Sequence, residues 1–375
     1  MVNSNYLERY KITIETLGPL YIGSGHEIGK KDWILNRRDN TAYIIDEIKL
    51  FNYLKKNNLL SSFEKFMLSN ARGGLFEWAK ENKIINDIIH QTSKYSLDCE
   101  NIVDVNTVKG IQTFIKDGYG KPYIPGSSIK GAIRNVLLSQ SIEKDTNSND
   151  EVISALRKPD TGDNKNKLSG EADKLDKKYF RTLNREGSKD GDAVNDIMSG
   201  IKIADSKPLS FSNLTLCQKK DANIDGYTRK TRIPILRECI RPETKIEFNL
   251  TIDTSLFKKS ISYIENAVEN FLNNYNEEFL LKFKEGIPYY GNVIYLGGGV
   301  GYHTKTVTSS LLKNEPDKVK IIGNIINNTV SKKMRDKHRH YDDHKLGVSP
   351  HMVKLTKYDG KLVQMGSCRI KISKL

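Results

Sequence analysis

The 375-residue chain is long enough for two ordinary domains, and its hydrophobic fraction of 37% indicates extensive polar surface. No apolar run approaches the roughly eighteen residues of a membrane span, and the first residues lack a signal-peptide pattern, so we expect a cytoplasmic protein without membrane contact. The scattered cysteines form no CxxC pair, which argues against a zinc knuckle and against a disulfide framework.

The formal charge of +14 is concentrated near the C-terminus. Residues 300–375 hold 16 Lys and Arg but only 6 Asp and Glu, a charge of +10. A basic surface attracts polyanions through its field and through counterion release, which makes nucleic acid the natural partner class. A solvated lysine-rich surface would give the same count, so charge alone leaves both interpretations open.

In the first third of the chain, strand patterns are interrupted by a long helical one. Alternating apolar and polar residues predict a half-buried strand at 10–17, and two short apolar runs predict a hairpin at 33–45. From 46 to about 90 the apolar residues recur at helical spacing. Strand character returns at 112–115 and 122–124.

The middle of the chain is polar. Residues 143–199 contain few large apolar side chains, which predicts a charged, partly disordered insertion with short helices near Val152 and Leu175. Strand structure resumes at 201–205. Residues 217–236 are polar and basic and predict an extended hairpin or loop.

The last third again alternates strands and helices. The strand at 246–252 is followed by one apolar stripe at spacings of three and four over 257–279, which predicts an amphipathic core helix. Further patterns predict a strand at 293–296, a helix at 319–330 and a closing strand at 368–372.

These elements predict an α+β protein with two ferredoxin-like, RRM-like domains and with helical and disordered insertions. We assign the N-terminal domain to 1–142 plus 200–236 and the insertion to 143–199. The C-terminal domain, with a glycine-rich loop, is assigned to 237–375.

The segment Tyr123–Gly131 is the first candidate site. Pro125–Ser128 follows a predicted strand and precedes a helical pattern, so Ser127 or Ser128 would cap the helix and its free amides could bind an anion. Lys130 and Arg134 are four residues apart and could clamp successive phosphates, while Gly131 would let another backbone approach closely. An ordinary turn followed by a capped helix would have the same sequence.

The spacing from Gly126 to Gly131 resembles a P-loop, but Ala132-Ile133 stands where Lys-Ser/Thr is required. A nucleoside triphosphatase is therefore disfavoured. The loop Gly297–Gly301 after a strand is only a weak match to a dinucleotide-binding loop, because the third glycine's spacing and a ribose-binding acid are lacking.

Three segments in order resemble the signatures of the RAMP superfamily of CRISPR proteins. The string Ile124–Arg134 resembles its central signature, Gly18–Gly25 its first-strand motif, and Leu296–Tyr302 its C-terminal glycine-rich loop. The motif order, the chain length and Ile203–Pro208 are most similar to one branch, the fifth subunit of the type III-A Csm interference complex.

The resemblance implies a pair of RRM-like folds in a non-catalytic subunit that caps the 3′-end side of the crRNA and is needed for crRNA maturation and antiviral defence. It implies no cofactor. The partners it implies are crRNA and other Csm subunits, above all the repeated backbone subunit, with target RNA and host nucleases as further candidates. The RNA-binding residues that it implies are Gly23, Ser24, Gly25, His26, Gly126, Ser127, Ser128, Lys130, Arg134, Gly297, Gly298, Gly299, Gly301 and Lys305.

Two alternatives concern catalysis. Backbone subunits that resemble this chain cut target RNA with an aspartate after the first glycine motif, and Asp32 lies in the comparable place, although a lone carboxylate beside lysines is usually an ion-paired surface residue. His338, His340 and His344 resemble the HxHxDH zinc motif with one residue too many, and only 31 residues follow. For this histidine segment an exposed basic loop is the favoured interpretation, with incidental metal affinity left open.

The alternative functions are a metal-dependent or metal-independent endoribonuclease that processes crRNA, and a scaffold that binds protein alone.

Overall fold

A computed structural model describes residues 6–69, 74–99, 108, 110–145, 149–158 and 164–375, with the backbone alone for 164–167 and 227–234. The described strands are β1 (Leu7–Thr16), β2 (Gly23–Gly29), β3 (Trp33–Asn36), β4 (Thr41–Ile45), β5 (Ser93–Asp98), β6 (Gly110–Phe114), β7 (Ile201–Ile203), β8 (Leu214–Asn223), β9 (Gly226–Ile240), β10 (Lys245–Asp253), β11 (Val293–Tyr295), β12 (Val353–Tyr358), β13 (Lys361–Gln364) and β14 (Ser367–Lys374). The described α-helices are α1 (Glu47–Lys56), α2 (Leu60–Leu68), α3 (Leu75–Glu81), α4 (Ile85–Thr92), α5 (Gly126–Lys144), α6 (Asp150–Arg157), α7 (Asn164–Tyr179), α8 (Ile261–Glu278), α9 (Thr308–Leu311), α10 (Lys318–Thr329) and α11 (Lys332–His338). The predicted α+β class is confirmed.

The first sheet has five antiparallel strands in the order β11-β14-β1-β10-β7. In β1 the side chains of Ile12 and Ile14 are fully buried while their neighbours along the strand are partly exposed, as the alternating sequence predicts. Ile12 pairs with Phe248 of β10, and Ile14 pairs with Ile370 of β14. The buried residues therefore share the face on which the largest core cluster forms.

Helices α5 and α8 contact each other and contribute to that core. The predicted stripe of α8 is confirmed, since Ile264, Val268 and Phe271 are buried in the core, together with Ile129 and Ile133 of α5. Burying a side chain of this size contributes about 1.5–3 kcal/mol, so this interface fixes the position of the α5 N-terminus firmly.

The second sheet follows the path β2-β6-β9-β8-β5-β4-β3, and β12 pairs with both β8 and β13. Strands β8 and β9 form the predicted long hairpin, and the predicted hairpin of β3 and β4 is also present. Helices α1–α4 fill the predicted helical stretch and enclose a separate apolar core around Leu54, Leu75 and Trp78. The predicted strand at 122–124 forms only an isolated bridge from Pro122 to Lys116, consistent with the missing N–H of proline.

A fully buried carboxylate ties the centre of the second sheet together. Glu238 of β9 accepts hydrogen bonds from the hydroxyl of Tyr95, from the backbone N–H of Phe114 at 2.8 Å and from the ammonium of Lys116 at 2.5 Å. Burying a charge is tolerated only when it is paired and hydrogen-bonded, so these contacts couple β5, β6 and β9.

Each sheet takes strands from both sides of the domain boundary expected at residue 237. The five-stranded sheet joins β1 and β7 to β10, β11 and β14, while the second sheet joins β12 and β13 to β8. The boundary also falls inside β9, so it does not separate the two sheets. The reason is long-range pairing, since β1 lies between two strands from the last third of the chain.

The insertion at 143–199 contains α6 and α7, near the predicted Val152 and Leu175, and short 3-10 turns at Ala193–Asn195 and Ile197–Gly200. Residues 146–148 and 159–163, on which the prediction of disorder partly falls, lie outside the described residues. None of the helices in the described part of the chain combines the length and apolarity that crossing a membrane requires.

Candidate nucleic-acid interface

The first and last glycine motifs meet at the backbone of Tyr21. The N–H of Gly298 donates to the carbonyl oxygen of Tyr21 at 2.7 Å. Gly297 has a φ of +72°, and a Cβ on it would lie 2.0 Å from the same oxygen. Only glycine permits this approach, so the structure brings together two motifs that are far apart in the sequence.

The first motif keeps part of its surface exposed. Ser24 Oγ lies 2.5 Å from Thr113 Oγ1 and accepts a hydrogen bond from the backbone N–H of His26 at 3.1 Å. Gly25 turns the chain with a φ of +86°, and a Cβ there would meet nothing within 4 Å. Gly23, Gly25 and His26 are exposed, so this turn offers open backbone while the hydroxyl of Ser24 is engaged within the chain.

Arg237 of β9 joins the two glycine motifs to the sheet. Its guanidinium lies 4.9 Å from the ring centroid of Tyr21, and its Nε donates to Gln112 Oε1 at 2.9 Å. Gly299 has a φ of +88°, which favours glycine, and a Cβ there would lie 2.7 Å from Nη1 of Arg237. That Nη1 is buried and has no hydrogen-bond partner among the described residues. A buried charged donor without an acceptor is costly, so this atom adds to the electrostatic cost of holding Arg237 at the junction.

Three lysines complete a group that we call the basic cluster: Lys219, Arg237, Lys305 and Lys354. The ammonium of Lys354 donates to Asp221 Oδ2 at 2.9 Å, and that of Lys219 lies 3.9 Å from Asp221 Oδ1. A Cβ on Gly301 would lie 3.7 Å from Cγ of Lys354, which places this lysine against the glycine-rich loop. Lys305 follows the same loop and is exposed.

The lysines of the cluster are electrostatically strained. Burial, and then the positive charge of Lys354, lower the pKa of Lys219 to about 8, although Asp221 opposes the shift. Partial burial, and then the positive charge of Arg237, lower the pKa of Lys305. Lys219 and Lys354 share the carboxylate of Asp221, and the charge of Arg237 acts on both Lys219 and Lys305. Like charges held together in this way favour binding of a polyanion, which relieves their repulsion.

The central signature lies at a different place and is capped by a neighbouring segment of the chain. Helix α5 begins at Gly126 with Pro125 as its N-cap and no side-chain cap, so the predicted capping by Ser127 or Ser128 is wrong. Instead the N–H of Gly126 donates to Asp205 Oδ1 at 2.8 Å. A carboxylate already occupies the position where the sequence predicted an external anion.

The segment 203–208 docks on this signature. A Cβ on Gly126 would lie 2.2 Å from the carbonyl oxygen of Ile203. The backbone N–H of Ile124 donates to Ser206 Oγ at 2.9 Å, and Ser206 N–H donates to the carbonyl of Ile124 at 3.0 Å. Two strings that the sequence singled out separately thus form one packed unit.

Lys130 and Arg134, predicted to clamp phosphates, have partners inside the protein. Lys130 Nζ donates to the carbonyl oxygen of Ile201 at 2.8 Å, and burial lowers its pKa. Arg134 pairs with Asp196 at 2.7 Å and with Asp176 at 3.0 Å. These contacts satisfy both cations and argue against a phosphate clamp, because RNA would have to displace them.

Asp32, the candidate catalytic residue, lies in the turn between β2 and β3, where it lines a cavity of about 210 Å³ beside α1 and α2. Burial raises its pKa, although a backbone hydrogen bond from Gly29 opposes the shift. The neighbouring Lys31 ammonium donates to carbonyl oxygens at the end of α2, including that of Met67 at 2.7 Å. The residues that line this cavity include none of the basic cluster.

The histidines of residues 338–351 divide into two groups. His340 Nδ1 lies 2.9 Å from Asp343 Oδ2, and His351 Nδ1 lies 2.6 Å from Asp343 Oδ1. The ring of His338 lies 5.8 Å from that of His340. His344 is exposed and its Nδ1 lies 2.9 Å from the carbonyl oxygen of Tyr341 instead. The predicted trio of His338, His340 and His344 is therefore not brought together, because the ring that packs against His338 and His340 belongs to His351.

Sequence reasoning missed the residues that organise these sites. Tyr21 lies inside the first motif, but nothing in the sequence shows that its carbonyl and ring serve as the contact surface. Lys219, Arg237 and Lys354 come from three strands of one sheet, and only the pairing of β8 with β9 and β12 brings them together. Asp343 and His351 could have been identified from the sequence, since both lie in or close to the histidine motif.

The comparisons with known proteins agree with the motifs. The profile of the RAMP superfamily matches residues 13–302. The CRISPR system Cms protein Csm5 of Mycobacterium tuberculosis (strain ATCC 25618 / H37Rv) is 28% identical over 98% of this chain and 99% of its own length. The protein of the same name from Streptococcus thermophilus is 30% identical, covering 81% of each chain.

Solved structures show the same fold. One chain of a Csm–crRNA–target RNA ternary complex of a type III-A CRISPR-Cas system matches with a TM-score of 0.64 and 20% identity, covering 96% of this chain and 100% of that one. The crystal structure of T. onnurineus Csm5 matches with a TM-score of 0.58 and 19% identity, over 95% of this chain and 99% of that one. The match of the superfamily profile over most of the sequence, together with the 30% identity to a curated relative, shows that this chain belongs to the RAMP superfamily and, within it, to the Csm5 proteins of CRISPR systems.

Proposed function

We propose that this protein is a non-catalytic, cytoplasmic crRNA-binding subunit of a type III-A Csm effector complex. The observation that carries the proposal is the basic cluster, in which Lys219, Arg237, Lys305 and Lys354 surround the junction of the two glycine motifs. A structural relative is a chain of a complex that contains crRNA, which supports the choice of RNA as the polyanion.

The composition of the cluster suits binding that is independent of base sequence. A guide-binding protein must accept any spacer, so its contacts should go to phosphate and ribose rather than to base edges. Ammonium and guanidinium groups are the side chains that bind phosphate most strongly, and the cluster supplies three of the first and one of the second. The exposed turn at Gly25, where a Cβ would meet nothing within 4 Å, lets the RNA backbone approach without side-chain obstruction.

The helices between β4 and β5 expose apolar side chains, which supports the proposal that other subunits bind this protein. Ile48 and Phe51, one turn apart on α1, are 75% and 54% exposed, and Phe51 lines one cavity together with Met67 of α2, which is 42% exposed. Clustered exposed apolar residues commonly mark protein interfaces. We propose that this surface meets another Csm subunit, such as the repeated backbone subunit. Capping of the crRNA 3′-end side, a role in crRNA maturation and recruitment of host nucleases rest on the family resemblance.

The proposal assigns no catalytic residue. Asp221, beside the basic cluster, accepts a hydrogen bond from the ammonium of Lys354 and lies 3.9 Å from that of Lys219, and these contacts suit a structural role. Asp32 lies away from the cluster, at the turn before β3, whereas the histidines around Asp343 precede β12 and lie within electrostatic reach of Lys354. An endoribonuclease that uses one of them remains the alternative to be tested.

The decisive experiment measures binding and cleavage together. Purified protein is incubated with labelled crRNA precursor, with and without divalent metal ions, and across a range of salt concentrations. We expect retention that weakens with salt and no cleavage product. The double variant Arg237→Gln/Lys354→Gln should bind more weakly. Its plot of log affinity against log salt should be shallower by about 1.4, because each phosphate of a single strand that the protein neutralises contributes about 0.7 to the slope.

The double variant Lys258→Gln/Lys282→Gln is the matched control, because it also removes two positive charges and both lysines are exposed and lie outside the cluster. Equal loss of affinity in this control would show that only net charge matters. Cleavage that disappears in Asp32→Ala or His340→Ala would establish the endoribonuclease instead. Failure to retain RNA at moderate salt would favour a protein-only scaffold.

A further inference from the structure

Three side chains in the last third of the protein converge on one point. His340, Asp343 and His351 each offer a ligand atom, and these atoms all lie within 4.8 Å of one another. We propose that these residues bind a divalent transition-metal ion of the zinc class, with His338 as the fourth ligand. The resulting centre would be structural and distinct from the basic cluster.

The distances fit such an ion after a small adjustment. Asp343 oxygens lie 2.9 Å from His340 Nδ1 and 2.6 Å from His351 Nδ1. Ligand atoms on a tetrahedral zinc, with bonds of about 2.0–2.1 Å, lie about 3.3 Å apart. The side chains would therefore separate by about half an ångström. In each of the two imidazoles the proton would move from Nδ1 to Nε2, because Nδ1 must be unprotonated to bind the metal.

The ring packing points to a third imidazole in the same centre. The ring centroids of His340 and His351 lie 4.6 Å apart, and that of His338 lies 5.8 Å from the first and 6.2 Å from the second. Imidazoles that share one zinc ion have ring centres roughly 5 Å apart. His338 needs only a small shift to complete a three-histidine, one-carboxylate set.

The centre is held in place by its surroundings. Asp343 is 1% exposed and His340 is 8% exposed. Ser349 Oγ donates to Asp343 Oδ2 at 2.6 Å, which orients the carboxylate as supporting hydrogen bonds do in metal sites. Helix α10 fixes the other side, because a Cβ on Gly323 would lie 2.4 Å from the carbonyl oxygen of His340.

The donor types select the metal. Imidazole nitrogens combined with one carboxylate suit zinc and its neighbours among the transition metals, whereas magnesium and calcium prefer oxygen ligands alone. The ion would join the turn at 338–343 to residues 349–351, which directly precede β12. Lys354 of the basic cluster lies on that strand, so the metal would also hold one RNA-facing lysine in position.

The test uses the full-length protein treated with chelator and then exchanged into metal-free buffer. Titration with zinc chloride, followed by calorimetry and by elemental analysis after desalting, should give one bound equivalent per chain. Cobalt(II) should give the strong visible absorption of a tetrahedral centre, which reports direct ligation. The same titrations on Asp343→Asn and His351→Gln should lose the stoichiometric site.

His344→Gln is the control, because His344 lies in the same segment but its ring nitrogen faces Tyr341. It should bind one equivalent and should be stabilised against heating by zinc as the unaltered protein is. The proposal fails if the unaltered protein binds no stoichiometric metal, an outcome that does not depend on whether any variant folds. It also fails if both ligand variants, shown folded by circular dichroism, keep the cobalt spectrum.

Discussion

Lys219 makes RNA binding sensitive to pH in an accessible range. Burial, and then the charge of Lys354, hold its pKa at about 8 in the free protein. A bound phosphate would supply the opposite charge and return the pKa toward the ordinary value of about 10.4. RNA binding above pH 8 must therefore be accompanied by uptake of a proton at this side chain, and raising the pH weakens binding.

The magnitude follows from the protonated fraction. With a pKa of about 8, roughly nine-tenths of the Lys219 side chains are charged at pH 7 and roughly one-tenth at pH 9. Affinity should therefore fall about tenfold between these values, or about 1.4 kcal/mol. Unfolding does not explain such a loss. Because the pKa of this lysine is lower in the folded than in the unfolded chain, its contribution to stability becomes more favourable from about pH 8 to about pH 10.4.

The assay is fluorescence anisotropy with a labelled oligoadenylate at pH 7, 8 and 9 and constant ionic strength, because adenine does not titrate in this range. Lys219→Met should bind more weakly at pH 7 and should lose most of the pH dependence. Lys361→Met, at an exposed position of β13, should keep it. A flat profile for the unaltered protein, or an undiminished slope in Lys219→Met, would refute the reasoning.

Three further predictions concern stability and the loop junction. Glu238→Ala leaves Tyr95 and Lys116 without their acceptor and should lower the free energy of unfolding in urea by about 3–5 kcal/mol; a loss under about 1 kcal/mol would contradict the role of the buried carboxylate. Asp205→Ala removes the acceptor for the α5 N-terminus and should lower the free energy of unfolding by about 0.5–2 kcal/mol in the same measurement. An unchanged free energy would show that water replaces the carboxylate fully and would contradict the capping role. Gly297→Ala should weaken RNA binding in the anisotropy assay, because its Cβ would lie 2.0 Å from the Tyr21 carbonyl, and unchanged binding would show that the junction does not shape the site.

Local patterns predicted the secondary structure well where one periodicity dominated. The stripe of α8 and the alternation in β1 and β10 follow directly from burial on one face. The same reasoning failed at Pro122, since strand-like residues cannot form a ladder where the backbone N–H is missing. It also failed at the N-terminus of α5, because the cap comes from Asp205, far along the chain.

The glycines of the candidate site and Lys305 were predicted from the sequence, but Lys219, Arg237 and Lys354 were not. Glycine motifs can be recognised in the sequence because close backbone approach allows no other residue, as at Gly297. Lys130 and Arg134 have helical spacing suited to phosphates, yet nothing local shows that Ile201 and Asp196 lie within reach of them. The cations that remain available come from separate strands, and only the sheet order reveals their proximity.

The position of β1 between β10 and β14 has a consequence for biosynthesis. During synthesis β1 leaves the ribosome more than 200 residues before either of its sheet partners, β10 and β14. Loop closure over such separations is slow and must precede the contacts that reward it. The Tyr21 junction with Gly298 is subject to the same delay. The proposed RNA-binding surface would thus be absent from nascent or truncated chains, so that only a finished molecule could engage the guide.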